Sequence, residues 1–317
     1  YMICVAAMLP LYKRLGMSPL IMACLMMLAS GIMNLTPWGG PTARAASALH
    51  VDPSDVFVPM ILPMLFAIAW LYFLGFMYGR MERKRLGIIE LDVSHGDSIQ
   101  ISTNPEANRD HLRWFNALLT IVLMICLVKS VLPLSILFMI ALSIALVVNY
   151  KDIDMQRSLV AHHAGSALNV VGIIFAAGIF TGILTGTGMV DAMSKELVAI
   201  IPASMGPFLA PITAIISMPL TFFMSNDAFY YGVLPVLSEA ALHYGITPVG
   251  MARASIVGQP VHLLSPLVPS TYLLCGLAGI DLGQHQKFAI KWAIITCLVM
   301  MFAAIICGVF PFYSTLS

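Results

Sequence analysis

The chain is short of charge. Of its 317 residues, 16 are Lys or Arg and 15 are Asp or Glu, which together make 10%. Soluble domains carry about 25% charged residues, so this chain cannot cover itself with a water-facing surface. Hydrophobic residues reach 60% and the mean hydropathy is +0.92, which excludes a soluble globular enzyme. A net charge of +1 leaves no basic surplus to hold nucleic acid. Paired cysteines are missing as well. Cys4, Cys24, Cys126, Cys275, Cys297 and Cys307 lie singly in apolar runs with no CxxC among them, so they read as small buried hydrophobes rather than disulfides or a zinc site. Neither an HExxH helix nor a GxSxG turn occurs, which argues against an intramembrane hydrolase, and the chain reads as not an enzyme. The first residue is Tyr1 with no initiator Met and no signal-peptide n-region, so the sequence reads as a fragment lacking its N-terminal part.

What the chain has is long apolar runs. A helix crossing the roughly 30 Å hydrocarbon core needs about 20 apolar residues. Segments 19–48, 57–79, 114–131, 133–150, 166–188, 249–276 and 286–311 qualify. Alternating these crossings puts 12 of the 16 basic residues on one side, among them Lys13, Arg14, Arg80, Arg83, Lys84, Arg85, Lys151 and Lys287. That side is expected to be cytoplasmic, with the C-terminus outside. The polar stretch 80–113 then becomes a cytoplasmic linker between residues 1–79 and residues 114–317.

A shift of 229 residues superposes unusual positions. Gly16-Met17-Ser18-Pro19 falls on Gly245-Ile246-Thr247-Pro248, Thr36-Pro37 on Ser265-Pro266, Thr42 on Thr271, and Val51-Asp52 on Ile280-Asp281. Coincidences at Gly, Pro and Asp are rarer than those of Leu or Ala, so the pattern reads as an internal duplication. Five crossings separate the two copies, and an odd number turns the second upside down. Inverted repeats are the architecture of secondary transporters, with the substrate site between the repeats at the membrane midplane. The expected fold class is therefore all-α polytopic membrane protein, with inverted repeats, broken transmembrane helices and re-entrant hairpins.

Two segments carry matching interruptions, at 34–42 and 259–271. Asn34-Leu35-Thr36-Pro37-Trp38-Gly39-Gly40-Pro41-Thr42 holds two prolines and two glycines, which no continuous helix tolerates. Gln259-Pro260-Val261-His262-Leu263-Leu264-Ser265-Pro266-Leu267-Val268-Pro269-Ser270-Thr271 is the second. Unwound backbone at membrane depth survives only inside protein or beside an aqueous cavity. Asn34, Thr36, Gly39, Gly40 and Thr42 from the first break, and His262, Ser265, Ser270 and Thr271 from the second, are the expected substrate-facing residues. The alternative is a pair of proline kinks filled by neighbouring side chains.

Ser225-Asn226-Asp227 splits the apolar run 205–242, whose second limb, from about 230, spans only about 20 Å as a helix. The two limbs are expected to form a re-entrant hairpin with its tip near the midplane. Residues 1–12 read as the exit limb of the equivalent hairpin in the first repeat. Ser225, Asn226 and Asp227 join the candidate site. Asp227 is the one carboxylate placed at that depth, suited to ligate a hard cation or to carry a proton; the competing reading is a helix cap. Arg44 and Arg253 read as snorkelling cations, with Arg44 close enough to its break to pair with a carboxylate. Gly178, Gly182 and Gly186, four residues apart, read as a close helix-packing stripe.

The stretch from Met224-Ser225-Asn226-Asp227-Ala228-Phe229-Tyr230-Tyr231-Gly232 to Leu237, the segments Met251-Ala252-Arg253-Ala254-Ser255 and Gly258–Tyr272, and the first break together resemble the citrate–metal:proton symporters (CitMHS) of the ion transporter superfamily. The resemblance implies a scaffold and a moving transport domain, a homodimer in the inner (plasma) membrane, and a first hairpin tip lying ahead of Tyr1. It implies proton-coupled import of citrate complexed with a divalent cation of Mg or Ca type, with no permanently bound cofactor and Asp227 as a ligand of the co-transported ion. The chemistry is consistent, since a divalent ion cancels two of the three charges of citrate and lowers the cost of desolvating it. The alternatives are a transporter of another organic anion, gluconate or a dicarboxylate, a cation/proton antiporter of the same superfamily, or a channel.

Overall fold

The computed structural model describes residues 1–87, 112–129, 131–161 and 204–314, with isolated positions between 164 and 196. The chain divides into two compact units. Tyr1–Leu91 with Ala177–Ser317 makes one, and Asp92–Ala176 the other. Among the described residues there are helices and turns but no strand. The fold is that of an all-α polytopic membrane protein. Pro53–Leu86, Gly206–Phe223 and Leu282–Ile306 are each long and apolar enough to cross a bilayer.

The larger unit begins with α1 (Met2–Arg14), α2 (Pro19–Met33), α3 (Gly40–Ala48) and α4 (Pro53–Leu86). The smaller unit contains α5 (Arg113–Val128) and α6 (Leu134–Asn149). The larger unit resumes with α7 (Leu209–Phe223), a π-helical turn (Ala228–Val233) and α8 (Leu234–Leu242). It then runs through α9 (Pro248–Ser255), a 3₁₀ turn (Ile256–Gly258), α10 (Gln259–His262), α11 (Pro269–Ala278) and α12 (Leu282–Ile306). The expected spans map onto these elements, except 166–188, which lies largely outside the described residues.

Local structure repeats in the register found in the sequence. Helices α2, α3 and α4 start at residues 19, 40 and 53, while α9, α11 and α12 start at 248, 269 and 282, a difference of 229 each time. Proline at the first position of α2, α4, α9 and α11 explains part of this, because its fixed φ suits a helix start and its missing N–H is an orphan there anyway. Asp52 and Asp281 cap α4 and α12, accepting from the N–H of Ser54 at 2.7 Å and of Gln284 at 2.9 Å. Gly16 and Gly245 turn at φ 63° and 76°, and His50 adopts φ 53° where its counterpart is Gly279 at 68°.

Even the turn hydrogen bonds of the two breaks coincide. Leu35 N–H to Ile32 O, Thr36 N–H to Met33 O and Gly39 N–H to Thr36 O recur as Leu264 to Val261, Ser265 to His262 and Val268 to Ser265. The second break is therefore narrower than its expected 259–271. Only Leu263–Val268 lies outside helix, because Pro260 sits in the first turn of α10 and Pro269 starts α11, both places where proline is tolerated.

The two copies pack reciprocally. α1 contacts α11 as α8 contacts α3, and α4 contacts α9 as α12 contacts α2. Such exchange of partners is what a two-fold relation produces. Gly31 and Pro260, equivalent under the repeat, meet each other where α2 crosses α10. An ideal Cβ on Gly31 would lie 2.6 Å from Pro260 Cα. α4 and α12 pack along one another with Trp70 on Trp292 at 6.4 Å and Tyr78 between Phe288 and Trp292. At the end of α4, Glu82 accepts from Ser18 N–H at 3.1 Å and from Arg85, whose Nη2 also donates to Gly16 O at 2.9 Å, fastening the α1–α2 turn.

Of the glycine stripe, Gly178 lies outside the described residues; a Cβ at Gly182 or Gly186 meets nothing within 4 Å among the described residues, while tight approaches fall at Gly31 and at Gly258, whose Cβ would lie 2.5 Å from Ser217 Oγ. In the smaller unit, Asn116 and Asn149 exchange amide hydrogen bonds of 2.8 Å and join α5 to α6.

Gly31→Ala should lower the thermal unfolding midpoint of the purified protein, because the obstructing atom is backbone; overpacking of this kind costs about 1–3 kcal/mol. Gly276→Ala, whose Cβ meets nothing within 4 Å, should leave the midpoint where it is. Equal midpoints for wild type and Gly31→Ala would show that the α2–α10 crossing is not tightly packed.

Candidate functional site

The π-helical turn and α8 together run from residue 228 to residue 242, roughly 22 Å at 1.5 Å per residue. α7 stops at Phe223, where Met224 turns extended at ψ 165°. Ser225 Oγ then accepts from Ala228 N–H at 3.2 Å and starts the next helical turn. Asp227 is helical at φ −63°, ψ −45° and makes no side-chain cap bond. The capping reading of Asp227 is therefore set aside, since Ser225 does that work and leaves the Asp227 carboxylate for another partner.

That partner is Arg44, from the second turn of α3. Its Nε donates to Asp227 Oδ1 at 2.6 Å, with the two side chains 25% and 42% exposed. The pair joins the helix leaving the first break to the tip between α7 and α8. Beside it lies Gln259, fully buried. Gln259 Oε1 accepts from Asn34 Nδ2 at 3.1 Å. Its Nε2 donates to Tyr230 Oη at 2.9 Å and reaches Asn226 Oδ1 at 3.3 Å. One amide thus links the first break, the tip and the approach to the second break. A buried amide with several partners orients all of them, because losing any one bond would strand a polar group.

The hydroxyls and the imidazole behave differently from the expectation. Thr42 Oγ1 donates to Leu35 O at 2.8 Å, and Thr271 Oγ1 donates to Leu263 O, so each closes its own break. Ser265 Oγ donates to Phe222 O at 2.6 Å, and His262 Nδ1–H is directed at Thr221 O at 2.6 Å. Both bind carbonyls at the C-terminal end of α7, which have no helical partner because the helix stops there. These four groups hold the breaks and the hairpin in place. Thr36 is buried and Ser270 half-buried, and neither hydroxyl joins the network among the described residues. Gly39 and Gly40 matter for what they omit. A Cβ on Gly39 would lie 1.9 Å from Asn34 O, and one on Gly40 would lie 2.4 Å from Arg44 Nη1.

Of the residues expected at the site, Asn34, Asn226, Asp227 and Gly40 come together. Arg44 and Gln259 are the additions. Gln259 opens the second break yet carries no assigned role in the sequence reading, and Arg44 reads there first as a snorkelling cation. A Gln and an Arg inside apolar runs were the available signals. Arg253 does not snorkel either. It donates from Nε and Nη2 to Asp55 O at 3.0 and 2.7 Å and from Nη1 to Val309 O at 2.9 Å. Arg44 makes the pair with Asp227 neutral as a whole. Among the described residues no group of three or more His, Cys, Asp or Glu is placed to hold a metal ion.

This geometry can be set beside known proteins. The profile of the CitMHS family, described as citrate transporter, matches residues 1–258. A citrate transporter of Bacillus subtilis (strain 168) is 57% identical over 315 residues, covering 98% of this chain and 72% of that protein. The Mg(2+)/citrate complex secondary transporter of the same organism is 49% identical over 309 residues, covering 97% of this chain and 71% of that protein. Its uncharacterized transporter YraO is 50% identical over 316 residues, covering 97% and 72%. The chain belongs to the CitMHS citrate transporter family of multi-pass membrane proteins.

Proposed function

We propose that the protein is a secondary active transporter that imports citrate complexed with a divalent metal ion, coupled to protons, across the plasma membrane. The observation that carries this reading is the Arg44–Asp227 pair, set between a helix break and a hairpin tip and partly open at 25% and 42% exposure. A ligand combining a cation with carboxylates presents both signs of charge to a site that offers both. Free citrate brings three negative charges against one guanidinium. Each uncompensated charge weighs heavily, since two unit charges 4 Å apart interact by about 4 kcal/mol at an effective dielectric of about 20. The name of the Mg(2+)/citrate relative supports the same substrate class.

Asp227 is the only carboxylate in this cluster among the described residues. Protonation of Asp227 would change the charge that the arriving complex meets, which links proton binding to substrate binding. A single carboxylate in this cluster among the described residues fits a metal that travels as part of the substrate, with citrate and water supplying most of its ligands. Magnesium and calcium both accept such oxygen sets. The repeats 1–79 and 114–317, with residues 80–113 as linker, would form the two inverted halves, with the hairpin at Ser225–Asp227 re-entrant and the protein assembled as a homodimer.

At fixed total citrate, uptake of labelled citrate into proteoliposomes should rise with added divalent ion and fall on chelation. Uptake indifferent to a chelator across a range of pH would overturn the metal complex as substrate and favour a metal-independent carboxylate transporter. Asp227→Asn keeps the size of the side chain and an acceptor for Arg44 but removes the charge. Metal-stimulated uptake should fall by about 10- to 100-fold, by the scale of charge-assisted bonds, with the thermal midpoint retained. Unchanged rates and pH dependence would remove Asp227 from the coupling.

A further inference from the structure

The Arg44–Asp227 contact uses one edge of the guanidinium. Nε donates to Asp227 Oδ1 at 2.6 Å, and neither Nη makes a further hydrogen bond among the described residues. Nη1 lies over the bare Cα of Gly40, at 2.4 Å from where a Cβ would stand. Among the described residues Arg44 thus arrives at the cluster with donors to spare, packed against a glycine of the first break, and it is 25% exposed. A planar guanidinium with unused N–H groups is shaped to take a carboxylate in two parallel hydrogen bonds.

Citrate has three carboxylates and one hydroxyl. A divalent ion chelated by the hydroxyl, the central carboxylate and one terminal carboxylate leaves the other terminal carboxylate uncoordinated. Such a complex has a cationic end with exchangeable water and an anionic end. The geometry points to Arg44 as the subsite for the uncoordinated carboxylate, with the Arg44–Asp227 pair as the resting form that the complex opens. On binding, Arg44 exchanges the Asp227 carboxylate for that of the ligand, and Asp227 exchanges Arg44 for the metal end. Each charged group loses one partner of opposite sign and gains another, so no charge is stranded at the midpoint of the exchange product. This assignment rests on the metal–citrate reading above and adds what selects a tricarboxylate over a dicarboxylate chelate.

The test uses citramalate, which keeps the chelating hydroxyl and two carboxylates of citrate and replaces the third arm by a methyl group. Both magnesium complexes are assayed as substrates or as competitors of labelled citrate uptake in proteoliposomes. Arg44→Gln should raise the KM for magnesium citrate by about 10- to 100-fold, the range for a hydrogen bond to a charged group, and should not weaken magnesium citramalate, whose binding is instead eased because no Arg44–Asp227 pair has to be opened. Arg44→Lys keeps the charge without the fork and should recover only part of the discrimination. If Arg44→Gln does not fold, Arg44→Lys carries the test, because it retains the charge and removes the fork, and should raise the KM for magnesium citrate more than that for magnesium citramalate. Equal weakening of both complexes, or no change in either, would overturn the assignment and leave Arg44 as a structural partner of Asp227. Failure of the substrate reading itself would be seen in wild type alone, as the absence of metal-dependent citrate uptake.

Discussion

A helix that stops in mid-course leaves carbonyls and amides without helical partners, and hydrocarbon offers no water to replace them. The larger unit is organised around meeting that demand at three places, the ends of α2, α7 and α10. Thr42 and Thr271 close the two breaks, each by a hydroxyl donated to a carbonyl near the start of the break. His262 and Ser265 reach from the second break to carbonyls at the end of α7. The hairpin tip is therefore attached to the second break before any ligand arrives. Residues that look like substrate contacts by composition turn out to hold irregular backbone in place.

The duplication multiplies the effect. The two breaks share three turn hydrogen bonds, and their equivalent positions Gly31 and Pro260 touch where α2 crosses α10. Close approach of backbones at that crossing brings Asn34, at the end of α2, within reach of Gln259 at the start of α10. Gln259 then passes the constraint to Asn226 and Tyr230. A side chain larger than glycine at position 31 would separate the elements and loosen the polar cluster along with the packing. Structural and functional demands meet at the same crossing.

Charge is the scarce resource of this chain, and the structure places one pair of opposite sign at the junction of the breaks and the tip. Arg44 and Asp227 hold one another without stranding either charge in a low-dielectric setting, where an unpaired ion is costly. Arg253 shows the other use of a cation here, joining α9 to the first turn of α4 and to the segment after α12 through backbone carbonyls. Two arginines that looked equivalent along the sequence thus serve different ends. Among the described residues, one donates from all three nitrogens to main-chain oxygens, and the other keeps both Nη groups free of hydrogen bonds.

The sequence by itself determined the class of the protein and the positions of its helix starts, breaks and turns. These depend on short-range physics. Proline fixes a helix start, glycine admits a positive φ, an Asp caps the helix after it, and a 20-residue apolar run suits a bilayer. The internal register was legible for the same reason, since Gly16, Pro19, Pro37 and Asp52 recur at Gly245, Pro248, Pro266 and Asp281. Only the tertiary structure decided which polar groups meet. Arg44 and Asp227 lie 183 residues apart, and Asn34 and Gln259 lie 225 apart. Thr42, Ser265 and Thr271 carry the same hydroxyl chemistry whether they face a cavity or a carbonyl, so their roles were not readable from residue type. The direction of each side chain is set by how the two copies cross, and that crossing is a property of the packed whole.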